Sequence, residues 1–190
     1  MFVLDPKTDR IAALLLVALM AATRVHHFGV GAIAPDASTA VFLLAGLLLA
    51  NPLWALALMA EATLLDLFAI KTIGVEAVCV TLGYGLIYPA YASLWLAGRW
   101  QRNAATLDFV AAGKLICATV AGVFGFFVFS NIGYYIGGGY ADTMGAAEYS
   151  ARVARYFSYY FTSTLGYAAA GVALVLIARR LAARAGIAAR

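Results

Sequence analysis

Long apolar runs with their charges held at the ends constrain this chain more than any other feature. Ile11–Thr23 and Thr39–Ala50 carry no charge, and Val110–Phe129 carries only Lys114. A soluble domain is about 25% charged, whereas this one is 12% charged and 65% hydrophobic. That charge cannot cover a water-facing surface, so the sequence predicts one domain, residues 1–190, integral to a membrane. The net charge of +4 does not point to nucleic acid. The Lys and Arg residues sit at run ends, where they anchor and orient helices.

The runs predict an all-α integral membrane protein, a six-transmembrane-helix bundle with spans over residues 11–28, 39–50, 52–70, 75–98, 106–130 and 151–181. Asp5-Pro6 is a helix start, Pro35-Asp36-Ala37-Ser38 a stop followed by a cap, and Asn51-Pro52 a turn. Pro89 predicts a bend in the fourth helix. The second run is shorter than the roughly 20 residues a crossing needs, so it is expected to tilt into the interface or line a cavity. Residues 131–150, rich in Gly and Tyr, read as a loop. The first run has the length of a signal-peptide core, but Arg24-Val25-His26-His27 is no small-residue cleavage site.

Orientation follows from the cations. Lys7, Arg10, Arg99, Arg102, Arg179, Arg180, Arg184 and Arg190 fall on one side, with Lys114 a turn or two in. Arg24, Lys71, Arg152 and Arg155 fall on the other. The positive-inside bias predicts both termini in the cytoplasm of a multi-pass protein of the cell inner membrane. His26, His27, Asp36, Asp66, Cys79, Tyr84 and residues 131–150 are then extracytoplasmic.

Few residues carry chemistry. Cys79 is expected about one turn inside the outer end of helix four, where a thiolate binds a soft or borderline metal centre. A membrane cysteine also serves as a small hydrophobe; Cys117, in mid-run, is read that way, as core and unbonded to Cys79. His26 and His27 point about 100° apart on a helix, so they do not chelate one ion together. They either face a ligand or snorkel at the interface with Arg24. No zinc spacing occurs, so a protein-built metal site is not expected. One thiolate suits a metal already held by its own macrocycle. Glu61 and Asp66 are costly in a bilayer unless paired or functional. Asp66 is placed at the outer vestibule, and Glu61 is left to pair with Lys114 or Arg24 or to be protonated. Asn131, Tyr134 and Tyr135 lie in a segment that either folds over a flat ligand, with Tyr156, Tyr159 and Tyr160 beside it, or forms an interfacial aromatic belt.

Six spans in about this length, Thr23-Arg-Val-His-His-Phe28, Pro35-Asp-Ala-Ser38, Asp66 and Cys79-Val-Thr-Leu-Gly-Tyr84 together resemble BtuM. That family consists of small cobalamin transporters related to the S-components of energy-coupling-factor (ECF) transporters. The resemblance covers essentially the whole chain. It implies uptake of cobalamin, vitamin B12, with Cys79 as axial ligand of the corrin cobalt. It also implies His27, or His26 one position away, as the functional histidine, and Asp66 and Tyr84 as pocket positions. Ala18 and Ala22 would dock an ECF coupling module, although members of this family are thought to work without one. A thiolate pushes electron density toward the opposite axial position, so removal of an upper ligand such as cyanide is an accessory step to be tested at Cys79. Two other functions remain: a thiol-dependent membrane enzyme using Cys79 with His27 as base, and a structural or assembly subunit using its Ala and Gly faces. The chain contains no nucleotide-binding loop.

Overall fold

A computed structural model describes residues 2–25, 34–74, 81–103 and 108–184. Regular structure among them is helical: α1 Pro6–Thr23, α2 Ser38–Leu48, α3 Leu53–Phe68, α4 Ile87–Gln101, α5 Phe109–Gly137, α6 Ala146–Ala154 and α7 Phe157–Arg184. α3 runs on through a π turn, Ala69–Ile73, and a 3₁₀ turn, Leu82–Leu86, precedes α4. The helix starts follow the local chemistry. Asp5 accepts hydrogen bonds from the N–H groups of Lys7 and Thr8, and Asp108 accepts one from that of Ala111.

Three helices are long and apolar enough to cross a membrane: Leu53–Ile73, Phe109–Gly137 and Phe157–Arg184. The sequence predicted six spans; by length and composition three qualify among the described residues. α1 and α4 have 18 and 15 residues, and α2 has 11.

α2 is the centre of the fold. Every residue from Ser38 to Leu48 is buried, and the helix packs against α1, α3, α4, α5 and α7. A helix that is apolar all round belongs inside a protein, so its short length reflects enclosure rather than an interfacial tilt. Its tightest contact is with α4. A Cβ at Gly46 would stand 2.0 Å from the carbonyl oxygen of Trp95, and one at Gly98 would stand 2.0 Å from that of Leu43. The two helices therefore cross backbone against backbone, as small residues in membrane helices allow.

Four sequence expectations need correction. Residues 131–137 are the last two turns of α5 rather than a loop. The glycines there serve contact: a Cβ at Gly133 would stand 2.5 Å from the Gly83 carbonyl oxygen, and one at Gly137 would stand 1.9 Å from Thr81 Oγ1. The chain turns only afterwards, with Gly139 at φ 74°. Pro89 makes no mid-helix bend, because α4 begins at Ile87 and places the proline in its first turn, where a missing N–H costs nothing. The final predicted helix is divided into α6 and α7 at Arg155-Tyr156. Cys117 is a free thiol but exposed rather than core.

The basic end is tied together through backbone groups. Arg99 donates to the carbonyls of Leu49 (2.7 Å) and Ala50 (3.0 Å), and Arg102 also donates to Leu49. These bonds satisfy carbonyls left open where α2 ends. Asp9 accepts the Ala50 N–H at 2.6 Å, and Arg179 donates to the Val3 carbonyl at 2.7 Å. The start of α1 and the ends of α2, α4 and α7 thus meet there, and the opposite helix ends gather at the other pole.

The α2–α4 crossing makes a direct prediction. Gly98→Leu should cost about 1–3 kcal/mol or more from overpacking, lowering the thermal midpoint in detergent. Gly113→Ala on α5, where a Cβ meets nothing within 4 Å, should leave the midpoint unchanged or raised. Equal effects would show that the crossing is looser than described.

Candidate functional site

The pole opposite the basic end holds a cavity of about 390 Å³. Its walls come from the end of α1, the segment before α2, the end of α3, the start of α4, the second half of α5, α6 and the start of α7. The segment before α2 is pinned from several sides. Asp36 Oδ1 accepts the N–H of Ser38 at 2.8 Å and its hydroxyl at 2.6 Å. Thr23 accepts the Ala37 N–H at 3.1 Å. From α7, Tyr167 donates to the Pro35 carbonyl at 2.8 Å, and Thr164 donates to Thr39 at 2.7 Å.

One buried cation organises the polar wall. The Arg24 side chain is 4% exposed, and so is that of Asp66. Arg24 Nε and Nη2 donate to the two oxygens of Asp66 at 2.8 and 2.7 Å, a parallel fork that gives both strength and direction. Arg24 Nη1 donates to the Tyr91 hydroxyl and lies 3.6 Å from Asp36 Oδ2. Tyr84 donates to Asp66 Oδ2 at 2.9 Å. A charge this deep is costly unless paired, and here two carboxylates and two phenols surround it.

Much of the remaining wall is aromatic, beside Thr81, Gly83, Ile87, Ser130, Gly133 and Val153, and Phe42 and Tyr140 pack against its rings. Phe42 stacks on Tyr91 at 4.1 Å, Tyr91 meets Phe126 at 5.3 Å, and Phe126 meets Tyr160 at 5.7 Å. Tyr134, Tyr140 and Tyr149 form a second group, with centroids 5.3 and 5.5 Å apart. Tyr149 donates to Asn131 Oδ1 at 3.2 Å. Burial, with Tyr140 as a lesser cause, pushes the Tyr149 hydroxyl up to about 12, so it stays a neutral donor at physiological pH.

The predicted site residues divide into three groups. Asp66, Tyr84, Asn131 and Tyr134 line the cavity, together with Tyr156, Tyr159 and Tyr160. Tyr135 is not among the lining residues; its hydroxyl donates to the Met144 carbonyl at 2.9 Å and helps hold the turn after α5. Cys79, His26 and His27 lie outside the described residues. Among the described residues no group of three or more His, Cys, Asp or Glu is arranged to hold a metal ion.

Sequence reasoning missed Arg24 as a site residue, and with it Tyr91 and Tyr149. The sequence puts Arg24 on the outer side, as an interfacial snorkel or a partner of Glu61, whereas it is buried and paired with Asp66 and Asp36. The available clue was a cation and two carboxylates, Arg24, Asp36 and Asp66, all assigned to the same side of an apolar chain. Glu61 pairs with neither of its candidates: Arg24 is engaged elsewhere, Lys114 is exposed, and Glu61 Oε2 is buried without a hydrogen-bond partner among the described residues.

A family model described as "Family of unknown function (DUF6580)" matches residues 5–184, so the chain belongs to that family. No curated protein matches it.

Removing one partner of a buried ion pair typically costs about 3–5 kcal/mol, because the other charge is stranded. Asp66→Asn should therefore destabilise the protein strongly. The double variant Arg24→Met/Asp66→Leu should recover much of the loss. Thermal denaturation in detergent checks this; a double variant no better than Asp66→Asn would show that the pair is not the source of the cost.

Proposed function

We propose that this DUF6580 protein is the solute-binding component of an uptake system, a six-pass protein of the cell inner membrane that takes a small organic molecule into its aromatic cavity. The observation that carries this reading is the cavity itself: about 390 Å³, inside the roughly 300–1,000 Å³ range of small-molecule sites. Aromatic faces line it, and its polar groups converge and are already bonded. Six helices alternate in direction, so the ends of α1, α3 and α5 meet the starts of α2, α4 and α7 around it. In the proposed topology both termini lie in the cytoplasm and the cavity faces outward. The proposal covers action with an ECF-type coupling module or alone.

Cobalamin is the ligand that the resemblance to BtuM names. Asp66, Tyr84, Asn131 and Tyr134 border one cavity. Cys79 precedes the lining residue Thr81 by two positions in the chain. A thiolate at one axial position of a corrin gives affinity without a protein-built cage. A corrinoid exceeds a drug-sized ligand in volume, so it would seat one part in the cavity and leave the rest across the mouth.

Titration of the purified protein with cyanocobalamin checks the ligand. Binding should shift the corrin absorption bands in wild type, and Cys79→Ala should abolish that shift and weaken binding by at least about tenfold, or 1.4 kcal/mol. Loss of the cyanide signature in wild type alone would support removal of the upper ligand. Absence of binding, together with no uptake by cells lacking other routes for this vitamin, would remove cobalamin as the ligand.

A further inference from the structure

Resting on the uptake reading, we infer that Glu61 is a proton-binding site within the membrane, a carboxylic acid whose proton exchanges with water as the protein moves its solute. α3 carries two acids, and only Asp66 belongs to the Arg24 contact. Glu61 does not line the cavity. Its depth is the first observation. Leu53–Ile73 is long and apolar enough to cross a membrane. Glu61 stands eight residues beyond Leu53, about 12 Å along the axis, and twelve before Ile73. A glutamate side chain reaches neither surface from there. Of its neighbours one turn away, Leu58 is buried while Ala57 and Leu64 are exposed. Glu61 therefore sits half-buried at the edge of the packed stripe.

Its lack of partners is the second. Glu61 Oε2 is the one buried side-chain nitrogen or oxygen among the described residues without a hydrogen bond. The neighbouring polar groups of α3 are served: Asp66 by Arg24 and Tyr84, and Thr63 by the Met59 carbonyl and Tyr88. α3 packs against α1, α2 and α4. α2 carries no ionisable group. Lys7, Asp9 and Arg10 lie at the start of α1, where Asp9 holds the Ala50 N–H, and Arg24 at its end holds Asp66. On α4, Tyr88 meets Thr63, Tyr91 accepts from Arg24, and Arg99 donates to Leu49 and Ala50. Lys71 and Lys114 are exposed. Among the described residues none of these cations forms an ion pair with Glu61.

An ionised carboxylate in that setting is a bare charge out of water, and a group so placed neutralises instead. The neutral acid needs no counter-ion and gains an O–H to donate. An apolar side chain would fill the same edge without any such cost, so an acid within a span points to work that hydrocarbon cannot do. That work is to give up a proton and take one back. The O–H bond breaks and the proton goes to water on one side; the carboxylate then takes a proton from water on the other. Uptake supplies the occasion, because the surroundings of α3 change as solute leaves the cavity for the basic end.

Two measurements on the full chain in proteoliposomes test this. Dicyclohexylcarbodiimide, an apolar reagent, reacts with protonated carboxyls. The acid's proton goes to a carbodiimide nitrogen and its oxygen to the central carbon; the adduct rearranges to an N-acylurea and nothing leaves. Mass spectrometry should find a gain equal to the reagent's mass on Glu61 and none on Asp66, whose charge is paired. An unlabelled Glu61 overturns the inference. In the second measurement, cyanocobalamin uptake is followed with the lumen one pH unit more alkaline than the medium. One proton per solute supports accumulation of up to about tenfold. Wild type should accumulate the solute, and a protonophore should abolish the accumulation. Glu61→Gln, which mimics the neutral acid, should bind cyanocobalamin as wild type does but only equilibrate it. Equal accumulation by Glu61→Gln, or wild-type uptake indifferent to the gradient, overturns the inference and leaves the uptake reading in place. A labelled Glu61 with no uptake counts against the uptake reading and the coupling that rests on it.

Discussion

The buried guanidinium of Arg24 is the interaction on which the cavity pole depends. It joins four elements in one contact set: α1, whose C-cap it is; the segment before α2, through Asp36; α3, through Asp66; and α4, through Tyr91. A buried ion pair adds little net stability once desolvation is counted, but it strongly penalises arrangements in which the partners separate. Its role here is therefore registration. The four elements have few other polar contacts with which to fix their rotation and depth, since most of what they offer each other is hydrocarbon, and hydrocarbon packs acceptably in several registers.

The opposite pole solves the same problem differently. α2 is too short to bring its last carbonyls to a membrane surface, at about 1.5 Å of rise per residue over 11 residues. Arg99 and Arg102 of α4 reach those carbonyls instead. The reach works because Gly46 and Gly98 let α2 and α4 touch at the backbone. The central helix is thus held at one end by arginine bonds and at the other by the pinned Pro35–Ser38 segment. Its position in turn sets where Phe42 stacks on Tyr91, a lining residue of the cavity.

Much of the helical scaffold was legible because apolar runs and capping residues act locally. Asp5, Pro52 and the run beginning at Thr39 each announce an element without reference to any partner. What stayed hidden depended on partners far along the chain. Gly133 and Gly137 look like loop residues in sequence, and only the approach of residues 81–83 explains them as helix contacts. Arg24 and Asp66 are 42 positions apart, and no spacing rule connects them. Cys117 was misplaced because hydrophobicity separates inside from outside only in water; in an apolar environment both faces of a helix are apolar. Of the candidate site, Asp66, Tyr84, Asn131 and Tyr134 were legible from residue type and assigned side. Their convergence on one cavity required the fold.

The way the polar groups are satisfied bears on how such a cavity works. Arg24, Asp66, Tyr84 and Tyr91 meet their hydrogen-bonding needs among themselves, so the ligand-free protein strands none of the four in an apolar setting. On the proposed reading as an uptake protein, the chain passes through that ligand-free state in every cycle, and a site whose charges waited for the ligand would be unstable there. Recognition then falls to groups that lose little when the ligand leaves: ring faces, which are apolar already. That arrangement favours release as well as capture, because no internal ion pair has to break or re-form when the ligand moves on. On that reading, preorganisation is built during folding, at the Arg24 contact, rather than during binding.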